Sequence, residues 1–152
     1  MDIAQIQIIF QLILAIVLGG VIGLERETKG KAAGFQTYSL VTLGACIFTI
    51  INLGIFDLFL GKTNIAFDPS RIILAIATGI GFIGAGVIFH KDSMHTEGLT
   101  TAAGLWCAAG IGIAVGSGLY LISLVSTLLV IIVFMLFGKI ERADLVKKKK
   151  IK

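Results

Sequence analysis

Charge is scarce in this sequence, and proline scarcer still. Asp, Glu, Lys and Arg make up only 14% of the 152 residues, against about 25% in an ordinary soluble domain. A soluble domain of this size must cover a large exterior with groups that water tolerates, and the chain has too few of them. Pro69 is the single proline, so long stretches carry no helix breaker. The two cysteines, Cys46 and Cys107, both fall inside apolar runs, where they offer no disulfide framework and read as small buried thiols. Apolar residues are what the chain has in excess. Counted with the 19 glycines, they reach about 70%, against about 45–50% for a globular chain. Bilayer lipid is the solvent such a composition demands.

A net charge of +4 does not point to nucleic acid, because the basic residues sit at the edges of apolar runs instead of forming a face. Seven of the 13 crowd the end of the chain (Lys139, Arg142, Lys147, Lys148, Lys149, Lys150 and Lys152), a juxtamembrane patch suited to anionic lipid. The apolar runs are Ile3–Leu24, Thr37–Leu60, Arg71–Phe89 and Leu99–Gly138. The last is twice the roughly 20 residues that one crossing needs, and Gly116-Ser117-Gly118 near its middle is a turn signal. The predicted fold is therefore an all-α membrane protein, a bundle of five transmembrane helices over residues 1–138 followed by a basic cytoplasmic tail at 139–152. Asp2 near the start is unlike a secretory signal, so the first run is expected to be retained. Arg26, Lys29, Lys31, Lys91 and the tail fall on one side of a five-helix chain, Lys62 and Arg71 on the other. That asymmetry predicts an N-terminus outside and a C-terminus in the cytoplasm.

Small residues mark the helices expected at the centre. Gly104, Ala108, Gly112 and Gly116 recur every fourth residue in the fourth segment, as do Ala77, Gly81 and Ala85 in the third; Gly19 and Gly23 form a shorter pair in the first. Lipid gives helices no hydrophobic reward for associating, so close backbone approach at such stripes has to supply the attraction. Helices three and four are expected to pack on each other, through Gly79, Gly81, Gly84, Gly104, Ala108 and Gly112, or to form a homodimer interface. Helix five, mostly Leu, Ile, Val and Phe, is expected to face lipid.

Gly79-Ile-Gly81-Phe-Ile-Gly84 matches the dinucleotide pattern letter for letter, but that motif needs a strand-to-helix turn facing water, and here it lies inside an apolar span, where helix packing is the reading. Ser117 has no base within reach of its end of the bundle and reads as a turn residue, so no enzyme is expected. His90, Asp92, His95 and Glu97 are legitimate metal ligands in a spacing that matches no zinc motif, and the loop reads as solvated. Magnesium asks for less, one or two carboxylates plus water at a polar membrane edge. Glu25-Arg26-Glu27 leaves the first helix at the interface, where the choice lies between surface pairing and an inward-turned charge; Asn52 and Asp57 pose the same question in the second. Asp68 reads as the N-terminal cap of helix three.

Taken together, Gly23-Leu24-Glu25-Arg26-Glu27, Ala33-Gly34-Phe35-Gln36-Thr37, Asp68-Pro69-Ser70-Arg71, the Gly79–Gly86 run and Gly98-Leu99-Thr100-Thr101-Ala102-Ala103-Gly104-Leu105-Trp106 resemble the membrane domain of the MgtC/SapB family of bacterial inner-membrane proteins. The resemblance implies a plasma-membrane protein tied to magnesium limitation and, in pathogens, to survival inside host cells. It also implies a regulator more than a transporter, with a membrane ATPase as a partner class and Glu25, Arg26, Asp68, Arg71, Thr100, Thr101 and Cys107 as functional candidates. Two departures stand out. Gln36 after Phe35 occupies the place where the family usually has Arg, removing a fixed charge, and the soluble ACT-type domain of long members is not expected after the fifth run.

The resulting expectation is a non-enzymatic regulator or accessory protein without a resident cofactor, with a small magnesium transporter or channel as the rival and no nucleic acid as partner. Glu25, Arg26, Thr100 and Thr101 are expected to gather at the cytoplasmic end, and Asp68 and Arg71 to act separately at the other.

Overall fold

A computed structural model describes residues 3–60, 68, 70–92 and 95–150, without the side chains of 89–95 and 139–150. Among the described residues, five helices, α1 (Ile3–Thr28), α2 (Phe35–Phe59), α3 (Ser70–Gly86), α4 (Leu99–Gly116) and α5 (Tyr120–Lys150), make up the bundle, and a short hairpin of β1 (Phe89–Asp92) and β2 (His95–Glu97) lies between α3 and α4. Four of the helices carry an apolar stretch long enough to cross a bilayer; α3, at 17 residues, is at the short limit of what spans. The apolar part of α5 ends at Gly138, but the helix runs on without a break to Lys150.

Helix direction alternates through the bundle. Phe10 meets Tyr120 edge to face, ring centroids 5.6 Å apart, near the starts of α1 and α5, and Arg26 meets Phe134 further along both. Helices α1 and α5 therefore run parallel, as the first and fifth members of an alternating bundle must.

The core lies where α1, α2 and α4 meet. A Cβ on Gly112 would stand 2.8 Å from the Ala45 Cβ, one on Gly116 2.8 Å from the Cys46 carbonyl oxygen, and one on Gly19 2.6 Å from the Tyr38 carbonyl oxygen. None of these sites has room for a side chain, so glycine there sets the helix separation. Thr42 and Thr49, buried in the same seam, donate their hydroxyls 2.8 Å to the Tyr38 and Ala45 carbonyls and so bring no unpaired polar group into it. Gln11, the one buried amide of α1, donates to the Val115 and Gly116 carbonyls at 3.0 and 3.2 Å and satisfies the open end of α4.

The expected pairing of helices three and four is corrected in one respect. Helix α4 packs through Gly104, Ala108 and Gly112 as its stripe foretells, but mainly on α2. Of α3, only Ile80 and Gly84 are buried; Gly84 faces Ala102, while Gly79 and Gly81 have no neighbour within 4 Å of an added Cβ. Spacing alone shows that a helix can be approached closely, not which helix approaches. Helix α5 faces outward as expected, with 17% of its apolar stretch buried against 56% for α4.

The connections follow from backbone chemistry. Beyond Gly86 the third apolar run leaves the helix, and the segment read as a loop forms an antiparallel ladder pairing Phe89 with Glu97 and His90 with Thr96, with a bulge before Asp92 and His95. The side chains of His90, Asp92 and His95, the metal candidates, lie outside the described residues. Gly98 enters α4 at φ 94°, and a Cβ there would strike the Val87 backbone. At the far end of α4, Gly118 takes φ 74° and the Leu119 N–H returns 2.8 Å to the Ala114 carbonyl, which is the turn that Gly116-Ser117-Gly118 signals.

Candidate functional site

Where α1 ends, Glu25 and Arg26 of its last turn and Lys29 just beyond it bring three charges together. Arg26 is 3% exposed, and Glu25 is half-buried with both carboxylate oxygens enclosed, although both sit beside the exposed apolar stretch of α1. Glu25 forms an ion pair with Lys29, one turn on, and holds Arg26 Nη1 at 3.5 Å. The Arg26 guanidinium sits over a ring of α5, its central carbon 4.0 Å from the centroid of Phe134. Lys29 also donates to the Phe134 carbonyl at 3.2 Å. One residue of α5 thus receives both cations, one on its ring face and one on its backbone. Charge at this depth is costly to bury, and the ring quadrupole, the carboxylate and the carbonyl together offset part of that cost. Arg26 Nε is buried without a hydrogen-bond partner among the described residues, so the cluster is not fully satisfied.

Helices α2 and α4 close the cluster from the other side. Tyr38 is fully buried, and its hydroxyl donates 3.3 Å to the Thr101 carbonyl in the first turn of α4. Gly104 makes room for both rings, because a Cβ there would stand 2.5 Å from the Phe134 ring. Glu27 turns the opposite way from Glu25 and accepts the Phe35 N–H at 2.7 Å, capping α2 across the loop. That cap is possible because Gly23 and Gly34 let the two chains touch: a Cβ on Gly23 would lie 2.7 Å from the Gly34 carbonyl oxygen.

Glu25, Arg26 and Thr101 are therefore brought to the same end of the bundle. Thr101 is buried, whereas Thr100 is exposed at the start of α4. Asp68 and Arg71 stand at the far end of α3, exposed and 3.9 Å apart. Asp68 accepts the Ser70 N–H at 2.9 Å and its hydroxyl at 2.6 Å, the capping role its position suggests. These bonds hold its carboxyl below the usual carboxylate range. Cys107 is corrected from buried to exposed: it faces outward from α4, while Cys46 is enclosed. Asp57 is exposed near the end of α2 and Asn52 half-buried.

Sequence reasoning left out Lys29, Tyr38 and Phe134. The spacing of Glu25 and Lys29, four apart on a helix, was a legible signal. Phe134 gave none, since it is one of many apolar residues in α5 and its role depends on a contact more than a hundred positions away.

A polytopic helical bundle with a buried cation seated on an aromatic ring at one end is the class these features define. The family model described as "MgtC family" matches residues 12–143, and the chain belongs to that family. It is 40% identical to the Escherichia coli K12 protein named "Putative magnesium transporter YhiD" over 84% of this chain and 60% of that one. It is 41% identical to "Protein SapB" of Bacillus subtilis, over 82% of this chain and 54% of that one, and 40% identical to "Protein MgtC" of Brucella abortus, over 78% and 46%. The chain thus spans about half the length of the relatives it matches. No solved structure matches it.

Proposed function

We propose that the chain is a non-enzymatic membrane regulator or accessory protein linked to magnesium limitation, acting through helix contacts with a partner. The observation that carries this reading is the seating of both Arg26 and Lys29 on Phe134, which makes the position of α5 depend on the charge balance around Glu25. Anything that competes for that carboxylate, such as a hydrated divalent cation or a partner's basic side chain, would loosen α5 from α1 and change the surface α5 offers. Further support comes from the α1–α2–α4 seam, filled by backbone contacts at Gly19, Gly112 and Gly116. The partner classes are a second copy of the chain and a membrane ATPase. The basic residues that follow α1, together with the tail, support a reading with the cluster end in the cytoplasm and the N-terminus outside a bacterial plasma membrane.

The rival reading, a small magnesium transporter, is favoured by the name of the Escherichia coli relative. Purified chain in liposomes holding a magnesium-sensitive dye separates the two. No flux above empty liposomes is expected, together with poor growth of a Glu25→Gln strain in low magnesium; sustained flux that Glu25→Gln abolishes would replace the regulator by the transporter.

A further inference from the structure

Helices α2 and α3 diverge to leave an open apolar groove of about 720 Å³, floored by Ala45 and Ala109 and flanked by Gly44 and Gly79. On α2 it runs from Gln36 to Phe48, twelve residue steps or about 18 Å of helix. The hydrocarbon half of a bilayer is about 15 Å deep, so the groove spans one leaflet. At the Gln36 end the lining turns polar. Gln36 and Thr37 belong also to a second pocket of about 330 Å³, lined further by Phe35, Gly34 and Glu27. The Glu27 carboxylate has no cationic partner among the described residues.

We propose that this groove and pocket together form a binding site for one membrane phospholipid with an ammonium-bearing headgroup. An acyl chain occupies the groove, the Gln36 amide and Thr37 hydroxyl face the phosphate, and the Glu27 carboxylate receives the ammonium group. The length of the groove argues for an acyl chain, because about 18 Å of helix matches the depth of one leaflet and the α2 lining is apolar from Leu40 to Phe48. Charge argues for the headgroup, since a carboxylate with no cationic partner among the described residues favours a zwitterionic lipid over an anionic one. The site does not depend on the regulatory reading and would serve a transporter equally.

The glycines of the groove make the test clean. An added Cβ at Gly44 or Gly79 meets nothing within 4 Å, so a Gly44→Leu/Gly79→Leu double variant brings bulk into the groove without a clash at either backbone. The full chain, purified in mild detergent, is given equal phosphatidylethanolamine and phosphatidylglycerol and examined by native mass spectrometry. The wild type should retain one phosphatidylethanolamine in preference to phosphatidylglycerol, by about threefold to fivefold. The double variant should melt with the wild type and retain lipid about tenfold less well. Glu27→Gln should keep lipid but lose the headgroup preference. Equal retention by wild type and double variant would reduce the lipid to an annular one and overturn the proposal, as would loss of a dimer in the double variant with lipid retention unchanged. A photoreactive phosphatidylethanolamine guards against misfolding of the double variant: in the wild type it should label residues 36–48 and 72–83, and labelling confined to other segments would refute the site.

Discussion

The guanidinium of Arg26 lies 4.0 Å from the centre of the Phe134 ring, and this contact fastens α5 to the last turn of α1. The remaining exposure of the Arg26 side chain is 4%, so the interaction is formed away from water, where a cation–π contact is strongest. Removing the ring should therefore destabilise the bundle beyond the loss of apolar area. Arg26→Lys and Phe134→Leu should each lower the melting temperature in detergent, and the double variant should fall short of their sum by about 0.5–2 kcal/mol. Strict additivity would show that ring and guanidinium are merely adjacent.

Arg26→Ala should be far more damaging than Arg26→Lys, at about 3–5 kcal/mol, because it leaves the buried Glu25 carboxylate with Lys29 alone. Adding Glu25→Gln to Arg26→Ala should recover part of the loss. Chemical denaturation in detergent measures both.

Among the glycines, position and not residue type decides the outcome. Gly112→Leu should prevent assembly, since its Cβ would already press on Ala45 and the Thr42 backbone, whereas Gly79→Leu should leave the melting temperature within about 0.5 kcal/mol of wild type. Leu129→Ala, on the lipid face of α5, should also do little. Detergent-stable folding assays rank the three.

Asp68 provides a pH test. Its folded pKa is lowered, so its contribution to the start of α3 is fully present at neutral pH and is lost as pH falls through that lowered value. The Ser70 and Arg71 amides should lose hydrogen-exchange protection on acidification. Asp68→Asn, which keeps an acceptor without the titration, should remove the pH dependence while preserving the cap.

Orientation is open to labelling in intact cells. In a background lacking Cys46 and Cys107, single cysteines at Lys31 and Thr100 should be protected together from an impermeant reagent, and one at Asp68 should react. Matching reactivity at Lys31 and Asp68 would contradict an alternating five-helix chain.

Most of this architecture is written in local sequence. Apolar length gives α1, α2 and α5, Gly116-Ser117-Gly118 separates α4 from α5, and the charges at Glu25 and Arg26 mark one end of the bundle. What sequence could not give is pairing. A four-residue glycine stripe looks the same whether it meets α2 or α3, and the seam is decided by the shapes of Tyr38, Thr42 and Ala45, whose helical spacing puts them on one face without saying which helix that face meets. The inward turn of Arg26 was undecidable for the same reason, because its acceptor Phe134 is one apolar residue among many. The hairpin between α3 and α4 is not legible in the sequence, since its seven strand residues are mostly polar and show no alternation strong enough to announce a ladder.

The cap that Glu27 places on Phe35 lies wholly within the first two helices, as do the close approaches at Gly19 and Gly23. Every contact that joins α1 to α2 is thus available as soon as residue 59 has left the ribosome. The pair can enter the bilayer as a finished hairpin, while α4 must wait for α3 to cross before its glycines find their seat. Mutations at the α1–α2 contacts themselves should accordingly act during insertion, before a stable protein exists to be measured, and those in α4 on the assembled bundle. Expression level and melting temperature would then report on different halves of the same molecule.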